Sequence, residues 1–168
     1  MMNIRRAREG DIPAMLRLLR QVGQVHHRGR PDLFRSDAQK FGAGELSQLL
    51  KSENCPIFVA EAGGDVVGYA MCILEIVQDH PVLRDSRSLF IDDFCVEEAC
   101  RGQGVGRALY AAAEQEARRL GCGSVTLNVW NFPGSAQAFY EKCGLKPRKT
   151  VMESILEEET DAGKESDL

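Results

Sequence analysis

The sequence is most informative at Arg101-Gly102-Gln103-Gly104-Val105-Gly106, because this glycine-rich segment joins a strongly apolar segment to an amphipathic one. The run before it, Leu89-Phe90-Ile91-Asp92-Asp93-Phe94-Cys95-Val96, has the nearly continuous apolar character of a buried strand, interrupted by two adjacent carboxylates. Apolar residues at helical spacing follow as far as Leu120, and Gly121 marks the end of that helix. A strand that leads through a glycine-rich loop into a helix can hold an anion, since the first helical turn has unpaired N–H groups.

The spacing of the glycines excludes the two commonest phosphate-binding loops. A Walker loop needs Lys and then Ser or Thr after its last glycine, and Arg107-Ala108 does not supply them. A dinucleotide fingerprint needs Gly-x-Gly-x-x-Gly, which residues 102–107 do not match. The glycines still let successive backbone amides converge, and Arg101 adds a charge at the mouth of the loop. We expect the loop to bind a phosphate group.

On either side of this loop, the sequence predicts short strands and helices that alternate along the chain. The pattern predicts a strand at 3–7, a helix from Asp11 to about Val25, a loop-rich segment at 26–44 and a helix at 45–51. A β-hairpin follows, with strands at 56–62 and 66–74 joined by Gly63-Gly64-Asp65. After the central loop and helix come a strand at 124–130, a helix at 135–143 and a last strand at 151–156.

Length and composition favour one ordinary globular domain. The chain has 168 residues, of which 43% are hydrophobic and 27% charged. No apolar run reaches the ~20 residues of a membrane span, and the first residues lack the apolar core of a signal peptide, so we expect a cytoplasmic protein with no membrane partner. Residues 157–168 hold six acids and one base and are predicted to be a disordered tail, which leaves a nearly neutral domain at 1–156. A near-neutral domain gives no reason to expect a nucleic-acid partner.

Six cysteines do not indicate a metal site or a disulfide framework. No two of them are spaced as Cys-x-x-Cys, and His80 is isolated among them. We therefore expect no metal, and interpret most of the cysteines as small buried side chains.

The loop at 101–106 resembles the Arg/Gln-x-x-Gly-x-Gly/Ala pyrophosphate loop of the GNAT superfamily of acetyl-CoA-dependent N-acetyltransferases. A second stretch, Phe139-Tyr140-Glu141-Lys142-Cys143-Gly144-Leu145, is similar to the superfamily's Phe-Tyr-x-Lys-x-Gly-Phe motif. The predicted order of elements over about residues 2–156 agrees with that resemblance. It implies an α/β (α+β) GNAT fold, in which helices flank a mixed, mostly antiparallel twisted sheet.

The resemblance also implies which residues bind acetyl-CoA as acyl donor. Main-chain groups at the end of the strand before the loop would bind the pantetheine arm and polarise the thioester carbonyl. Many relatives carry Asn seven residues before the helix tyrosine, where this chain has Pro133, so Asn131 is a candidate substitute. The donor-binding residues expected from the resemblance are Phe94, Cys95, Val96, Arg101, Gly102, Gln103, Gly104, Val105, Gly106, Arg107, Asn131 and Lys142.

Three side chains are candidates for proton transfer. The resemblance makes Tyr140 the general acid, since a phenol of pKa about 10 can reprotonate a thiolate whose thiol has a pKa of about 8.5. A core aromatic on the helix face with Phe139 is the alternative interpretation of Tyr140. Strand alternation puts Asp92 and Asp93 on opposite faces, so one of them can face the acetyl site and receive the amine proton. Asp92 aligns with a strand glutamate proposed as base in the polyamine-acetylating branch, and we expect it to be the base ahead of Asp93; structural hydrogen bonds are the alternative for both. Cys95 is interpreted as a buried strand residue in preference to a nucleophile.

The expected reaction is transfer of acetyl from acetyl-CoA to a primary amine by direct attack in a ternary complex. A small-molecule acceptor is favoured over a protein, because the segment at 26–44 suggests a closed pocket. His26 and His27 lie in that segment and either contact the acceptor or are solvated, while Trp130 walls the pantetheine channel or caps the core. The alternatives are a non-catalytic acyl-CoA sensor acting through a partner, and an acyltransferase with a longer donor. A homodimer is possible.

Overall fold

A five-stranded sheet in the order β1-β2-β3-β4-β5 organises the computed structural model, which describes residues 1–156. The strands are β1 Met2–Arg6, β2 Ile57–Ala62, β3 Asp65–Val77, β4 Ser86–Val96 and β5 Ser124–Leu127. The first four strands pair antiparallel with their neighbours, and β5 pairs parallel with β4. The predicted mixed, mostly antiparallel sheet is therefore confirmed, including the hairpin that joins β2 to β3.

Helices cover both faces of this sheet. They are α1 Ile12–Gly29, α2 Ala43–Lys51, α3 Val105–Arg119 and α4 Gln137–Lys142, with single 3₁₀ turns at Glu9–Asp11 and Glu98–Cys100. Among residues 1–156, none of the helices has the length and apolar character needed to cross a bilayer.

Strand alternation divides the core into two layers. In β2, Ile57 and Val59 pack with α1 and α2, whereas Phe58 and Ala60 pack with α3 on the other face. Because both faces are covered there, β2 is buried from Ile57 to Ala60 and β3 from Val66 to Cys72, which explains the nearly continuous apolar sequence of these stretches. The arrangement leaves the carboxyl-terminal half of β4 between the two helical layers.

The first helix is longer than the sequence pattern predicts. It continues past Val25 to Gly29, and the backbone N–H of Arg30 still donates to the carbonyl of His26 at 2.8 Å. Arg30 then takes an extended φ of −141°, as expected for a residue that precedes a proline, here Pro31. His26 and His27 consequently lie in the last turn of α1, and the loop-rich segment begins after them.

One predicted strand end and one whole predicted strand are wrong. β5 stops at Leu127, before Trp130, and residues 151–156 form no strand in the described part of the chain. The apolar residues of that last segment come as the pairs Val151-Met152 and Ile155-Leu156, so they do not alternate and give no single apolar face. The predicted disordered tail at 157–168 lies outside the described residues.

Asp11 stands at the N-cap position of α1, but its side chain forms an ion pair in place of a cap. Its carboxylate accepts hydrogen bonds from Arg5 at 2.7 and 2.9 Å and from the backbone N–H of Arg8 at 2.8 Å, while no side-chain bond caps α1. Only 5% of Asp11 is exposed. The Arg5 hydrogen bonds hold the pKa of this carboxyl below its ordinary value.

We expect Asp11→Asn to lower the free energy of unfolding by about 1–3 kcal/mol at pH 7, because Arg5 loses a charged partner. A carboxyl group whose pKa is lowered in the folded protein stabilises the fold fully at pH values above its ordinary pKa of about 3.9. That stabilisation is lost as the pH falls through the lowered pKa of the folded protein. Urea unfolding at pH 7 and near pH 3 measures the difference in free energy of unfolding between wild type and variant. We expect that difference to be smaller near pH 3 than at pH 7. Asp37→Asn, at an exposed position, is the control.

Candidate active site

The strands β4 and β5 stop pairing partway along β4, which leaves one edge of β4 free. Their parallel pairing covers only Ser88 to Ile91 on β4 and Ser124 to Leu127 on β5. Beyond that point β4 continues to Val96 with β3 on one side and no pairing to β5 on the other. Main-chain groups on this edge of residues 92–96 therefore have hydrogen-bonding capacity for a bound molecule.

A β-bulge at Asp92 sets the direction of the two carboxylates. In the β3–β4 register Met71 opposes Asp93 and Cys72 opposes Ile91, so Asp92 is the additional residue on its strand. Simple alternation predicts opposite faces for Asp92 and Asp93, and that prediction is wrong. The bulge breaks the alternation, and both carboxylates reach the same cation, Lys40.

Lys40 comes from the segment between α1 and α2 and brings an ammonium group to the bulge. Its Nζ lies 2.9 Å from Asp92 Oδ2, 2.9 Å from the Asp92 carbonyl oxygen and 3.5 Å from Asp93 Oδ2. On the other side of Asp93, the hydroxyl of the fully buried Tyr69 donates to Oδ1 at 2.7 Å. The Asp93 side chain is only 9% exposed and lies between these two donors.

Burial raises the pKa of Asp93 above the ordinary value for an aspartate, although the Tyr69 hydrogen bond and the Lys40 charge act in the opposite direction. His26, half-buried in the last turn of α1, is close enough for its charge to act on Asp93. Burial lowers the pKa of His26, with Asp93 partly opposing this effect. A carboxylate whose pKa is raised toward neutrality is a better proton acceptor at physiological pH than an ordinary one.

Tyr140 of α4 is close enough to Asp93 for the charge of that carboxylate to act on its phenol. It is the buried residue of α4, and its ring packs edge-on against Phe94 of β4, with centroids 6.0 Å apart, and against Phe139 at 5.1 Å. Burial raises the pKa of its phenol, and the nearby negative charge of Asp93 raises it further. The strand and the helix motif therefore bring together a buried carboxylate and a buried phenol.

The glycine loop leads directly into α3. Gly102 and Gly104 have φ values of +74° and +85°, in the left-handed region that glycine tolerates, and Gly104 is the N-cap of the helix. Arg101 Nε donates to the Val96 carbonyl at 3.3 Å, which ties the loop to the end of β4. The first turn of α3 thus faces outward beside the open strand edge, where its N–H groups suit an anion.

The remaining residues expected to bind the donor fall into a packed group and an exposed group. Val105 is buried against the core, and a Cβ on Gly106 would come within 3.0 Å of the Phe139 ring, so α3 and α4 approach closely there. Arg107 donates to the main-chain carbonyl of Lys142 at 2.9 Å. The side chains of Gln103, Asn131 and Lys142 are exposed.

An apolar cleft of about 320 Å³ adjoins the carboxylates. It lies between α2 and the sheet, and Lys40 and Asp92 are its charged members. Its other lining residues are Phe41, Leu49, Cys55, Ile57, Met71, Cys72 and Ile73. The cleft can accommodate an apolar group whose charged end lies against Asp92.

Phe34 forms an aromatic cluster with His26 and Trp130. Phe34 packs against His26 with ring centroids 5.0 Å apart and edge-on against Trp130 at 4.9 Å. Trp130 remains 42% exposed, so it is a surface residue of this cluster and does not cap the core. The ring of His26 is therefore held by packing next to the carboxylates.

Cys95 is a buried strand residue, as the sequence interpretation holds. Gln21 Nε2 approaches its sulfur at 3.5 Å, and burial raises the pKa of the thiol to about 12. At neutral pH such a thiol is protonated and a poor nucleophile.

Lys40 and Tyr69 are site residues that sequence reasoning missed. Lys40 lies in a segment without regular structure, 52 positions from Asp92, and Tyr69 reads as one apolar residue within a buried strand. The one available signal was the pair of adjacent carboxylates in β4, because a buried carboxylate requires a donor or a cation from elsewhere in the fold.

Comparison with known proteins agrees with this geometry. A family model described as the acetyltransferase (GNAT) family matches residues 20–145. The uncharacterized N-acetyltransferase YycN of Bacillus subtilis (strain 168) is 32% identical over 55% of this chain and 55% of that protein, so the match spans about half of YycN. Aminoglycoside N(6')-acetyltransferase type 1 of Stenotrophomonas maltophilia is 30% identical over 64% of this chain and 71% of its own length.

A solved structure, that of a mutant BH1408 protein from Bacillus halodurans, superimposes with a TM-score of 0.87 and 27% identity over 92% of this chain and 99% of the other. The family model covers well over half of the sequence and includes the open strand, the glycine loop and Tyr140. The chain therefore belongs to the GNAT family of acetyltransferases.

Proposed function

We propose that this protein is an N-acetyltransferase that transfers acetyl from acetyl-CoA to a small-molecule primary amine by direct attack in a ternary complex. The observation that carries the proposal is the buried Asp93, which faces an ammonium group at 3.5 Å and lies near the phenol of Tyr140. An amine acceptor needs a group that takes its proton, and a leaving thiolate needs a group that supplies one.

The residues present fit acetyl-CoA as donor. The edge of β4 at residues 92–96 offers main-chain groups for an amide-containing arm, and the loop at 101–106 with the start of α3 offers N–H groups for a pyrophosphate. The arm would run between the parted strands, which places a thioester next to Phe94 and Tyr140. Backbone N–H groups there would polarise the carbonyl oxygen.

In this proposal the two carboxylates divide the work on the acceptor. Asp92 lines the cleft and binds the incoming ammonium, as it binds Lys40 in the structure. Asp93, more buried and with a raised pKa, accepts the proton, so it is proposed as the base in place of Asp92. Tyr140 protonates the departing sulfur, and its phenolate recovers a proton from solvent or from Asp93.

The surroundings of the cleft support an amine with an apolar body. The cleft lining is mainly aliphatic and aromatic, whereas Arg30, which could repel a cationic acceptor, is ion-paired with Asp32 and Glu153. The similar aminoglycoside N(6')-acetyltransferase type 1 is named for an aminoglycoside, which is a small molecule, and this supports a small acceptor here. Cytoplasmic location and a homodimer stay predictions from the sequence.

The test is release of CoA thiol by the purified protein with a panel of acceptors. The panel should contain alkyl and arylalkyl amines, polyamines, aminoglycosides and short peptides, each offered with acetyl-CoA and with longer acyl-CoA donors. We expect acetyl-CoA to be the best donor and amines with an apolar body to be the best acceptors. Saturable binding of acetyl-CoA without transfer to any amine would contradict the proposed enzyme and favour the sensor alternative.

Gly104→Glu should weaken acetyl-CoA binding by about 10- to 50-fold, because a side chain at φ +85° strains the loop and its charge repels phosphate. Isothermal titration with acetyl-CoA measures the change. Gly64→Glu is a matched control, since Gly64 also has a positive φ, +92°, with no atom near its missing Cβ, but lies in the β2–β3 turn. If acetyl-CoA binding is weakened equally in both variants, the loop at 101–106 is not the phosphate-binding site.

A further inference from the structure

Lys40 holds a primary amine at the position that the proposed function gives to the acceptor. Its Nζ contacts Asp92 through a carboxylate oxygen and a carbonyl oxygen, both at 2.9 Å, and Asp93 at 3.5 Å. These contacts match the three N–H donors of an ammonium group. Among the described lysines, Lys40 is the only one that forms an ion pair. It is exposed like the other four, which are Lys51, Lys142, Lys146 and Lys149, so the ion pair and not burial distinguishes it.

The position of Lys40 suits reaction as well as binding. The Nζ lies beside the proposed base and at the rim of the cleft, and the Lys40 side chain is 42% exposed. It belongs to the stretch between α1 and α2 that has no regular structure, so its backbone is not tied to the sheet by strand pairing. A flexible four-carbon side chain on such a segment can move its nitrogen from the carboxylates toward the parted strands.

We propose that Lys40 is an internal acceptor, acetylated on Nζ by its own chain when acetyl-CoA is bound and no other amine occupies the site. This inference rests on the proposed function and adds a modification site to it. The nitrogen lone pair forms a C–N bond to the acetyl carbon, the C–S bond breaks, and its electron pair leaves with sulfur. Asp93 takes the first proton from the ammonium group and later releases it to solvent, and Tyr140 protonates the sulfur. The second proton that the nitrogen loses as the amide forms restores the Tyr140 phenol, so the net products are N-acetyl-Lys40, free CoA and one proton.

Acetylation of Lys40 changes the site, because the neutral amide cannot form ion pairs. Asp92 and Asp93 lose their only common cation among the described residues, and both become available to the ammonium group of an external acceptor. An external amine and Lys40 therefore compete for the same two carboxylates before the modification and no longer do so after it.

The experiment incubates the purified full chain with acetyl-CoA that carries a deuterated acetyl group and no added amine, followed by trypsin and mass spectrometry. Trypsin does not cleave after acetyl-lysine, so modification replaces the peptides Ser36–Lys40 and Phe41–Lys51 by the single peptide Ser36–Lys51. The deuterium label separates new acetyl groups from any acquired during expression. We expect Lys40 to be labelled at least tenfold faster than Lys51 or Lys149, with a rate constant that does not depend on protein concentration.

Two variants sharpen the test. Asp93→Asn should lose the label at Lys40 while chemical background at Lys51 is unchanged. In a mixture of Asp93→Asn with Lys40→Arg, the label at Lys40 of the Asp93→Asn chains should stay at the chemical background seen at Lys51, because each chain modifies only itself. Label at that Lys40 above this background, or equal labelling of all lysines in native and denatured protein, would overturn the proposal.

The acceptor panel on wild-type protein separates this inference from the proposed function. If the protein acetylates an added amine but leaves Lys40 unlabelled even without that amine, self-acetylation is refuted and the N-acetyltransferase activity stands. If neither Lys40 nor any amine is acetylated, both proposals fail.

Discussion

Asp93→Asn is expected to lower kcat by about 10²–10³-fold, the range typical of a lost general base. The variant should still fold, because the Asn side-chain oxygen can accept the hydroxyl bond that Tyr69 donates to Asp93. It also removes a buried carboxyl whose charged form is disfavoured, so unfolding in urea at pH 7 should show no loss of stability. The measurement is steady-state kinetics with the best acceptor amine, together with that unfolding curve.

Asp92→Asn is the matched comparison, since it removes a neighbouring carboxylate that contacts the same ammonium. If Asp92 binds the acceptor and Asp93 takes its proton, Asp92→Asn should raise KM for the amine severalfold with kcat little changed. The opposite pattern, a large loss of kcat in Asp92→Asn and a small one in Asp93→Asn, would return the base role to the residue that the sequence favours.

The pH dependence of kcat distinguishes a base from a residue that only supports the structure, because only the base contributes its pKa to that profile. Because the pKa of Asp93 is raised, the acid limb of kcat should lie above the range of an ordinary aspartate and disappear in Asp93→Asn. Tyr69 acts through Asp93 as a positioning residue, and its hydrogen bond favours the charged carboxylate. Tyr69→Phe should therefore shift the acid limb to higher pH without abolishing activity.

The sequence predicts those parts of the fold that follow from local patterns. Glycines at 102, 104 and 106 after an apolar run predict a strand, a phosphate-binding turn and a helix, and the structure has β4, positive φ values at Gly102 and Gly104, and α3 there. The β2–β3 hairpin follows equally from Gly63-Gly64 between two apolar runs. These features depend on neighbours within a few residues, for which periodicity and turn chemistry are informative.

The site depends on long-range pairing that local patterns do not contain. A bulge inserts one residue into β4 opposite β3, and nothing in Ile91-Asp92-Asp93-Phe94 alone indicates which residue is inserted. The position of Lys40 depends on how the segment after α1 crosses the sheet, and the length of α1 depends on where Pro31 interrupts it. Both aspartates could thus be identified as candidates from the sequence, whereas their common cation and their unequal burial required the folded chain.

Tyr140→Phe is expected to lower kcat by about 10²-fold with little change in acetyl-CoA affinity. The ring contacts with Phe94 and Phe139 do not use the hydroxyl, so the core around α4 should keep its packing. The raised pKa of Tyr140 does not argue against an acid role, because a thiolate released into the same buried surroundings becomes more basic for the same reason. The transfer of the proton from Tyr140 to sulfur depends on the difference between the pKa of the phenol and the pKa of the CoA thiol.

A change of leaving group tests that role directly. A thiolate of low basicity leaves without a proton, so an acid catalyst contributes little to its departure. The loss caused by Tyr140→Phe should be large with an acetyl alkyl thioester and small with an acetyl aryl thioester of similar size. Tyr110→Phe is the control, since it removes a phenol hydroxyl from the layer between α3 and the sheet, where the charged side chains that act on it are Glu114 and Arg118. If the loss in Tyr140→Phe is the same for both thioesters, the phenol positions the donor and another group protonates the sulfur.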